Sequence, residues 1–254
     1  MTQTRKIALI TGGSRGLGKN MALSIAKRGT DVLFTYNSKK DEADAVVKQL
    51  EAAGIKAAAL QLNVADIKSF DNFFMQVRST LQSVFGADKI TYLVNNAGVG
   101  FHEPFATTTE EQFDNMLNIH FKAVFFLSQK ALPLLEDGGG IVNVSTGLAR
   151  FCIPGSSTYA AMKGAVEVLS RYMAKELGAR GIRVNVIAPG AIATDFSGGL
   201  VRDNPEVNAG IAAQTALGRV GRPDDIGSVV AFLCSDDAKW VNAQRLEASG
   251  GMFL

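Results

Sequence analysis

The chain is short of the residues that carry most metal and thiol chemistry. It has 2 cysteines and 2 histidines in 254 residues. Two cysteines make no disulfide framework, and no metal-ligand set is read from the sequence. Cys152 and Cys234 both sit among apolar neighbours, in Phe151-Cys152-Ile153 and Leu233-Cys234, and are expected to be buried thiols. No apolar run approaches the ~20 residues needed to span a bilayer. An excess of one charge is missing too. The 26 Lys+Arg and 24 Asp+Glu leave a net +2 and are interspersed, so there is no footprint for nucleic acid. The start, Met1-Thr-Gln-Thr-Arg-Lys, runs into a strand pattern without a secretory leader. A cytoplasmic protein without membrane or nucleic-acid partners is expected. Linkers rich in Pro, Gly and Ser, low-complexity tracts and repeats are absent as well. With 47% hydrophobic and 20% charged residues, one packed domain over 1–254 is expected.

What is present is a regular alternation of short apolar runs and helical patterns. Residues 6–11, 31–36, 56–62, 91–94, 141–145 and 182–188 read as strands, and 245–248 as a last edge strand. The near-continuous apolar character of these runs suits strands buried on both faces. Helical patterns fill 40–53, 67–85, 109–135 (with a bend near Asn118), 157–177 and 223–233, besides one after the first glycine cluster. This order predicts an α/β fold: a Rossmann-like doubly wound sheet, mostly parallel, of about seven strands with helices on both faces. The least regular stretch, about 191–218, is a candidate substrate loop.

Between the first strand and first helix stands Thr11-Gly12-Gly13-Ser14-Arg15-Gly16-Leu17-Gly18. Glycines permit a tight turn and close backbone approach to a pyrophosphate, and the following helix N-terminus offers free N–H groups. A dinucleotide site is expected there. An NAD site usually has an acid at the end of the second strand, for the ribose 2′-hydroxyl. Here that end reads Tyr36-Asn37-Ser38-Lys39-Lys40, and Asp31 lies at the other end. Arg15, Asn37, Ser38 and Lys39 suit a 2′-phosphate instead, so NADP(H) is expected in preference to NAD(H).

Tyr159 and Lys163 are four residues apart. On a helix that spacing puts phenol and ammonium on one face. A nearby cation lowers a Tyr pKa from about 10 and makes it a usable acid or base. Tyr36 and Lys40 share the spacing, but that pair leaves a strand end and would not share a helical face.

The loop spacing Thr-Gly-x-x-x-Gly-x-Gly resembles that of the short-chain dehydrogenase/reductase family. So do Asn95-Asn96-Ala97-Gly98 after the fourth strand, Tyr159-x-x-x-Lys163, Pro189-Gly190-x-x-x-Thr194, and the later Gly218–Ile226 and Gly250-Gly251 segments. The likeness spans the chain and is nearest the single-domain subgroup that includes 3-oxoacyl-carrier-protein reductases and glucose dehydrogenases. It implies an oxidoreductase moving a hydride between nicotinamide and a carbonyl or secondary alcohol. Catalysis would fall to Asn118, Thr146, Tyr159 and Lys163. Gly12, Ser14, Arg15, Gly16, Leu17, Gly18, Tyr36, Asn37 and Ser38 would hold the cofactor. So would Asn63, Val64, Asn96, Ala97, Gly98, Pro189, Gly190, Ile192 and Thr194, with Tyr159 and Lys163. Lys163 would also bond the nicotinamide ribose, and Asn118 would hold a relay water.

The family carries a Ser 13 residues before the Tyr, whereas this chain has Thr146 there. Ser145 precedes it, but adjacent strand residues point to opposite sides, so the role is assigned to Thr146. A working variant and a cofactor-binding sensor or scaffold with lost catalysis both remain open. His102 and His120 are read as incidental. Phe101, Leu148, Arg150 and Phe151 are expected to line the substrate pocket, with Arg150 read as a surface arginine ahead of a partner for an anionic substrate. Relatives imply a homotetramer or dimer through the helices after the fourth and fifth strands.

Overall fold

The computed structural model of the chain describes residues 5–254. Met1 to Thr4, part of the start read as leaderless, lie outside the described residues. The strands are β1 Ile7–Ile10, β2 Asp31–Tyr36, β3 Ala57–Gln61, β4 Ile90–Asn95, β5 Leu135–Val144, β6 Arg183–Pro189 and β7 Arg245–Ala248. They form one seven-stranded sheet in the order β3-β2-β1-β4-β5-β6-β7. Every pair is parallel. The order reverses between β1 and β4, which opens a crevice at the carboxyl ends of those strands.

The central strands are mostly apolar because each face of the sheet has its own core. In β1, Ala8 and Ile10 pack on one side with Phe34, Val94 and Val142, while Ile7 and Leu9 face the other with Leu33, Leu93 and Ile141. The first face is covered by α1 (Gly16–Ala26), α2 (Lys40–Ala52) and α9 (Pro223–Leu233), through Met21, Ile25, Val46, Leu50, Ile226 and Val230. The second is covered by α3 (Phe70–Thr80), α5 (Ala123–Ala131) and α6 (Ser157–Glu176), through Phe70, Phe73, Val77, Leu127 and Ala174. The alternating side-chain direction of a strand converts one apolar run into two cores.

The bend expected near Asn118 is a widened turn. The helix α4 (Glu110–Leu117) ends there, residues Asn118–Lys122 form one π-helical turn, and α5 follows. The Ala123 N–H donates to the Asn118 carbonyl, five residues back. The expected substrate loop holds two short helices, α7 (Leu200–Asp203) and α8 (Pro205–Ala213). The Asn204 side chain caps α8 by accepting from Glu206 and Val207 N–H.

Two expectations are corrected. The helix read as running to residue 135 stops earlier, because Pro133 sits in a 3₁₀ turn at Leu132–Leu134. β5 then begins at Leu135 opposite Ile90, and its register shifts before Gly140 meets Tyr92. Of the intervening residues Glu136–Gly138 are exposed, so the polar, glycine-rich run hid a strand. Cys152 is exposed rather than buried. It lies in the loop between β5 and α6, where apolar sequence neighbours do not imply a packed environment. Cys234 is buried as expected, and burial pushes its thiol up to about 12.

Candidate active site

The carboxyl ends of β1, β2, β4, β5 and β6 deliver nearly all the residues singled out in the sequence to one edge of the sheet. The loop after β1 is built for close approach. Gly12 and Gly16 take left-handed backbone angles (φ +67° and +54°), a region other residues avoid. A Cβ on Gly18 would stand 2.0 Å from the Gly12 carbonyl and 2.6 Å from the Asn96 amide nitrogen. Asn96 stitches the loop to the end of β4: its side-chain amide donates to the carbonyls of Thr11 (2.9 Å) and Gly12 (3.1 Å). The backbone N–H groups of Asn96 and Ala97 both donate to the Thr11 hydroxyl. The N-terminus of α1 has no side-chain cap and no acid in its first turn. Its N–H groups are left for an anion, and the cradle fits a dinucleotide pyrophosphate. A cavity of about 280 Å³ opens beside it, lined by Gly16, Lys19, Ala193, Thr194 and Arg202 among others.

At the end of β2, Asn37, Ser38 and Lys39 are exposed and Tyr36 is half-buried. Arg15 and Lys39 make no ion pair among the described residues. Lys40 is paired with Asp44 at 2.6 Å. Asp31, at the far end of β2, accepts from the Lys56 N–H at 2.9 Å. Asn63 uses its side-chain oxygen to cap its own turn, accepting from Ala65 N–H, and Val64 beside it is half-buried. Pro189 ends β6, and Gly190 donates to the Ala248 carbonyl at 3.1 Å. Ile192 bridges to Gly221, and Thr194, buried, lies over Gly16 with Cβ 3.8 Å from where a Gly16 Cβ would stand.

Tyr159, Lys163 and Thr146 are all buried, with 9%, 4% and 9% of their surface exposed. The Thr146 hydroxyl caps the turn after β5 by accepting from Leu148 N–H at 3.2 Å. Ser145 points elsewhere, donating to Glu167 at 2.6 Å. Lys163 donates to the Val144 carbonyl at 2.7 Å, and its nitrogen is 5.7 Å from the Tyr159 ring centre. This arrangement corrects one expectation. Burial, which penalises phenolate, pushes the Tyr159 phenol above its ordinary value, and Thr146 offsets this only in part. Burial also lowers the Lys163 ammonium to about 8. The cation is one helical turn away, as the spacing requires, but desolvation outweighs it.

His120 packs against the site. It is buried, its ring meets Tyr159 edge-on at 4.9 Å and 90°, and its Nε2 lies 3.0 Å from the Val99 carbonyl. A carbonyl only accepts, so Nε2 carries the proton; the buried Nδ1 has no partner among the described residues. Burial, then Lys163, lowers its pKa to about 3. The unfolded chain, at about 6.5, therefore binds the proton first. Stability should fall as pH drops from about 6.5 towards 3. Replacing His120 by Phe should shrink the loss of melting temperature between pH 7 and pH 5; an equal loss in both proteins would refute this assignment.

Phe196 closes the other side of Tyr159, ring centres 6.2 Å apart. Arg150 is not free to meet an anionic substrate. It pairs with Glu247 through two nitrogens (2.8 and 2.6 Å) and donates to the Met252 carbonyl. Phe151 packs on Phe253 at 4.8 Å. Beyond Asn96, the site rests on Asn95, the first residue of the same motif. It donates to Ser128 (2.9 Å) and Asn143 (2.7 Å), and Asn143 donates to Ser170 (2.8 Å). That buried chain locks β4, β5, α5 and α6 together under the site.

Residues 12–253 match the family model described as Enoyl-(Acyl carrier protein) reductase. The 3-oxoacyl-[acyl-carrier-protein] reductase FabG of Staphylococcus aureus is 37% identical, over 98% of both chains. Among solved structures, the promiscuous reductase LugOII, which catalyses keto-reduction at C1 in lugdunomycin biosynthesis, superposes with a TM-score of 0.94 at 36% identity over 99% of both chains. The angucycline C-6 ketoreductase LanV, solved with bound NADP, gives 0.93 at 36% identity, covering 98% of this chain and 95% of LanV.

Proposed function

We propose, from the premise that the chain belongs to the short-chain dehydrogenase/reductase family, that it is an NADPH-dependent carbonyl reductase with Tyr159 as general acid. The observation that carries this reading is the convergence of Tyr159, Lys163 and Thr146 beside the glycine cradle. Its relatives' bound NADP supports the cofactor, as do Arg15 and Lys39, without an ion-pair partner among the described residues, where an NAD site would carry an acid.

A nicotinamide cofactor, when bound, supplies the hydride, while the protein supplies orientation and electrostatics. Gly12, Ser14, Gly16, Leu17 and Gly18 would hold its pyrophosphate; Arg15, Tyr36, Asn37, Ser38 and Lys39 its 2′-phosphate. Asn63 and Val64 would lie at the adenine, and Asn96, Ala97, Gly98, Pro189, Gly190, Ile192 and Thr194 along the nicotinamide half. Thr146 and Tyr159 donate hydrogen bonds to the substrate oxygen as charge develops there. A phenol raised by burial stays protonated at neutral pH, so Tyr159 is loaded for reduction. Lys163, lowered to about 8, gives up a proton more readily than an ordinary lysine. With a water held by Asn118 it would refill Tyr159.

The same reading makes residues 1–254 one cofactor-binding and catalytic domain in the cytoplasm, with 191–218 as its substrate loop. It also makes the protein a homotetramer or dimer. Phe113 on α4, Phe125 on α5, and Val168 and Tyr172 on α6 are exposed apolar residues on the helices expected to pair. A cofactor-binding sensor is favoured by one feature only, Thr146 in place of the family's Ser.

NADPH absorbance on a panel of ketones, sugars and 3-oxoacyl thioesters, with ethyl acetoacetate and 1-tetralone as the ketones every reductase of this reading is expected to turn over, tests the reading. Turnover is expected, with KM for NADPH at least about tenfold below that for NADH (about 1.4 kcal/mol), in a preparation that sediments as an oligomer. NADPH binding without turnover across the panel would favour the sensor; a clear NADH preference would refute the 2′-phosphate assignment, and a monomer the assembly.

A further inference from the structure

We infer that Arg245, on the edge strand β7, is a positioning residue that sets the distance between Thr146 and Tyr159. The inference rests on the catalytic reading above. Its guanidinium makes three bonds in three directions. Nε donates to Glu167 (2.7 Å), Nη1 to Glu247 (2.8 Å), and Nη2 to the Thr146 carbonyl (3.2 Å). Glu167 lies on α6, eight residues beyond Tyr159 and four beyond Lys163, on the same face of that helix. One rigid, planar group therefore spans from the helix that carries the phenol to the backbone of the residue that carries the second hydroxyl.

The rest of the cluster holds the same turn from its other end. Arg150 pairs with Glu247, which also accepts from Ser249 at 2.8 Å. Residues 146–150 are thus tied at both ends to β7. The charges balance, two arginines to two glutamates. The Arg245 pairs are largely sheltered, with Glu167 and Glu247 at 13% and 18% side-chain exposure and Arg245 at 24%, while Arg150 is exposed. Pairing with Arg150 keeps Glu247 ionised, its carboxyl held to about 2.

Backbone anchoring matters more for Thr146 than it would for a serine. A β-branched side chain is stiff about its first torsion. Its hydroxyl goes where the backbone aims it, and a rotamer change does not correct a misplaced turn. Holding the Thr146 carbonyl therefore holds the hydroxyl.

The test is a double-mutant cycle on the full-length protein with NADPH, using whichever of ethyl acetoacetate and 1-tetralone is reduced faster. Arg245→Met should lower kcat by about 10- to 100-fold, the scale of a misplacement of about 1 Å. NADPH affinity, followed by fluorescence titration, should stay within about twofold. Arg245→Lys, with one ammonium for three acceptors, should recover only part of the rate. In a Thr146→Ala background, Arg245→Met should change kcat less than about twofold, because the group it positions is gone. Losses that multiply in the double variant would show that Arg245 does not act through Thr146 and would overturn the inference while leaving the catalytic reading intact. Thr146→Ala turning over at the parental rate, or no reduction of either ketone with NADPH binding intact, would refute the catalytic reading and the role of Arg245 with it. If Arg245→Met does not fold, the cycle with Arg245→Lys decides by the same criterion.

Discussion

Replacing Tyr159 by Phe is expected to lower kcat by about 10³-fold or more while NADPH affinity stays within about threefold. The ring is enclosed by His120 and Phe196, and Phe keeps those contacts. Only the hydroxyl is lost. Two effects then disappear together. A positioned proton donor is worth about 10²–10⁴-fold, and a donor aimed at a developing oxyanion a further 10²–10³-fold; the terms overlap because one group supplies both. Cofactor affinity should survive because the glycine cradle is held by Asn96, in bonds that do not involve Tyr159. The measurement is kcat at saturating ketone beside a fluorescence titration with NADPH. A Phe variant retaining a tenth of parental turnover would remove Tyr159 as the acid, and His120, native pKa about 3, would not replace it at neutral pH.

The second large effect should come from a single added methyl. In Gly18→Ala the new carbon would fall 2.0 Å from the Gly12 carbonyl oxygen, deep inside van der Waals contact. The obstacle is backbone, held by the Asn96 amide at 3.1 Å, so it does not rotate away. Overpacking of this kind costs about 1–3 kcal/mol. The loop that must shift is the one that cradles the pyrophosphate, so NADPH affinity should fall by up to about 100-fold. Gly210→Ala is the matched control. That glycine is exposed on α8 with nothing within 4 Å of its would-be Cβ, and the change should leave affinity intact and stabilise the helix by up to about 1 kcal/mol. Equal binding by parent and Gly18→Ala would mean that the cofactor does not use this loop.

These two residues were legible in the sequence because their signals are local. A glycine spacing between a strand and a helix, and a Tyr four residues before a Lys, need no knowledge of distant partners. The strands were legible for the same reason, since burial on both faces leaves an unbroken apolar run. β5 began too late in that reading because Glu136–Gly139 bulges out of the ladder and carries no strand pattern. The direction of the Tyr159 shift was misread because spacing reveals a cation but not how deeply a phenol is buried. Arg150 looked like a pocket residue because its partner, Glu247, lies 97 positions away. The contact of His120 with Tyr159 was not legible, because a lone histidine in a sequence does not say which ring it will meet.

The tie between Arg245 and the Thr146 carbonyl joins residues 99 apart, and this has a consequence for synthesis. On the ribosome the phosphate loop, Asn96, Tyr159 and Lys163 all emerge well before β7. Until β7 has left the exit tunnel the Thr146 turn lacks its anchor, and so does Gly190, whose N–H donates to the Ala248 carbonyl. Competence to turn over should therefore arise only at the end of synthesis, when the last strand docks.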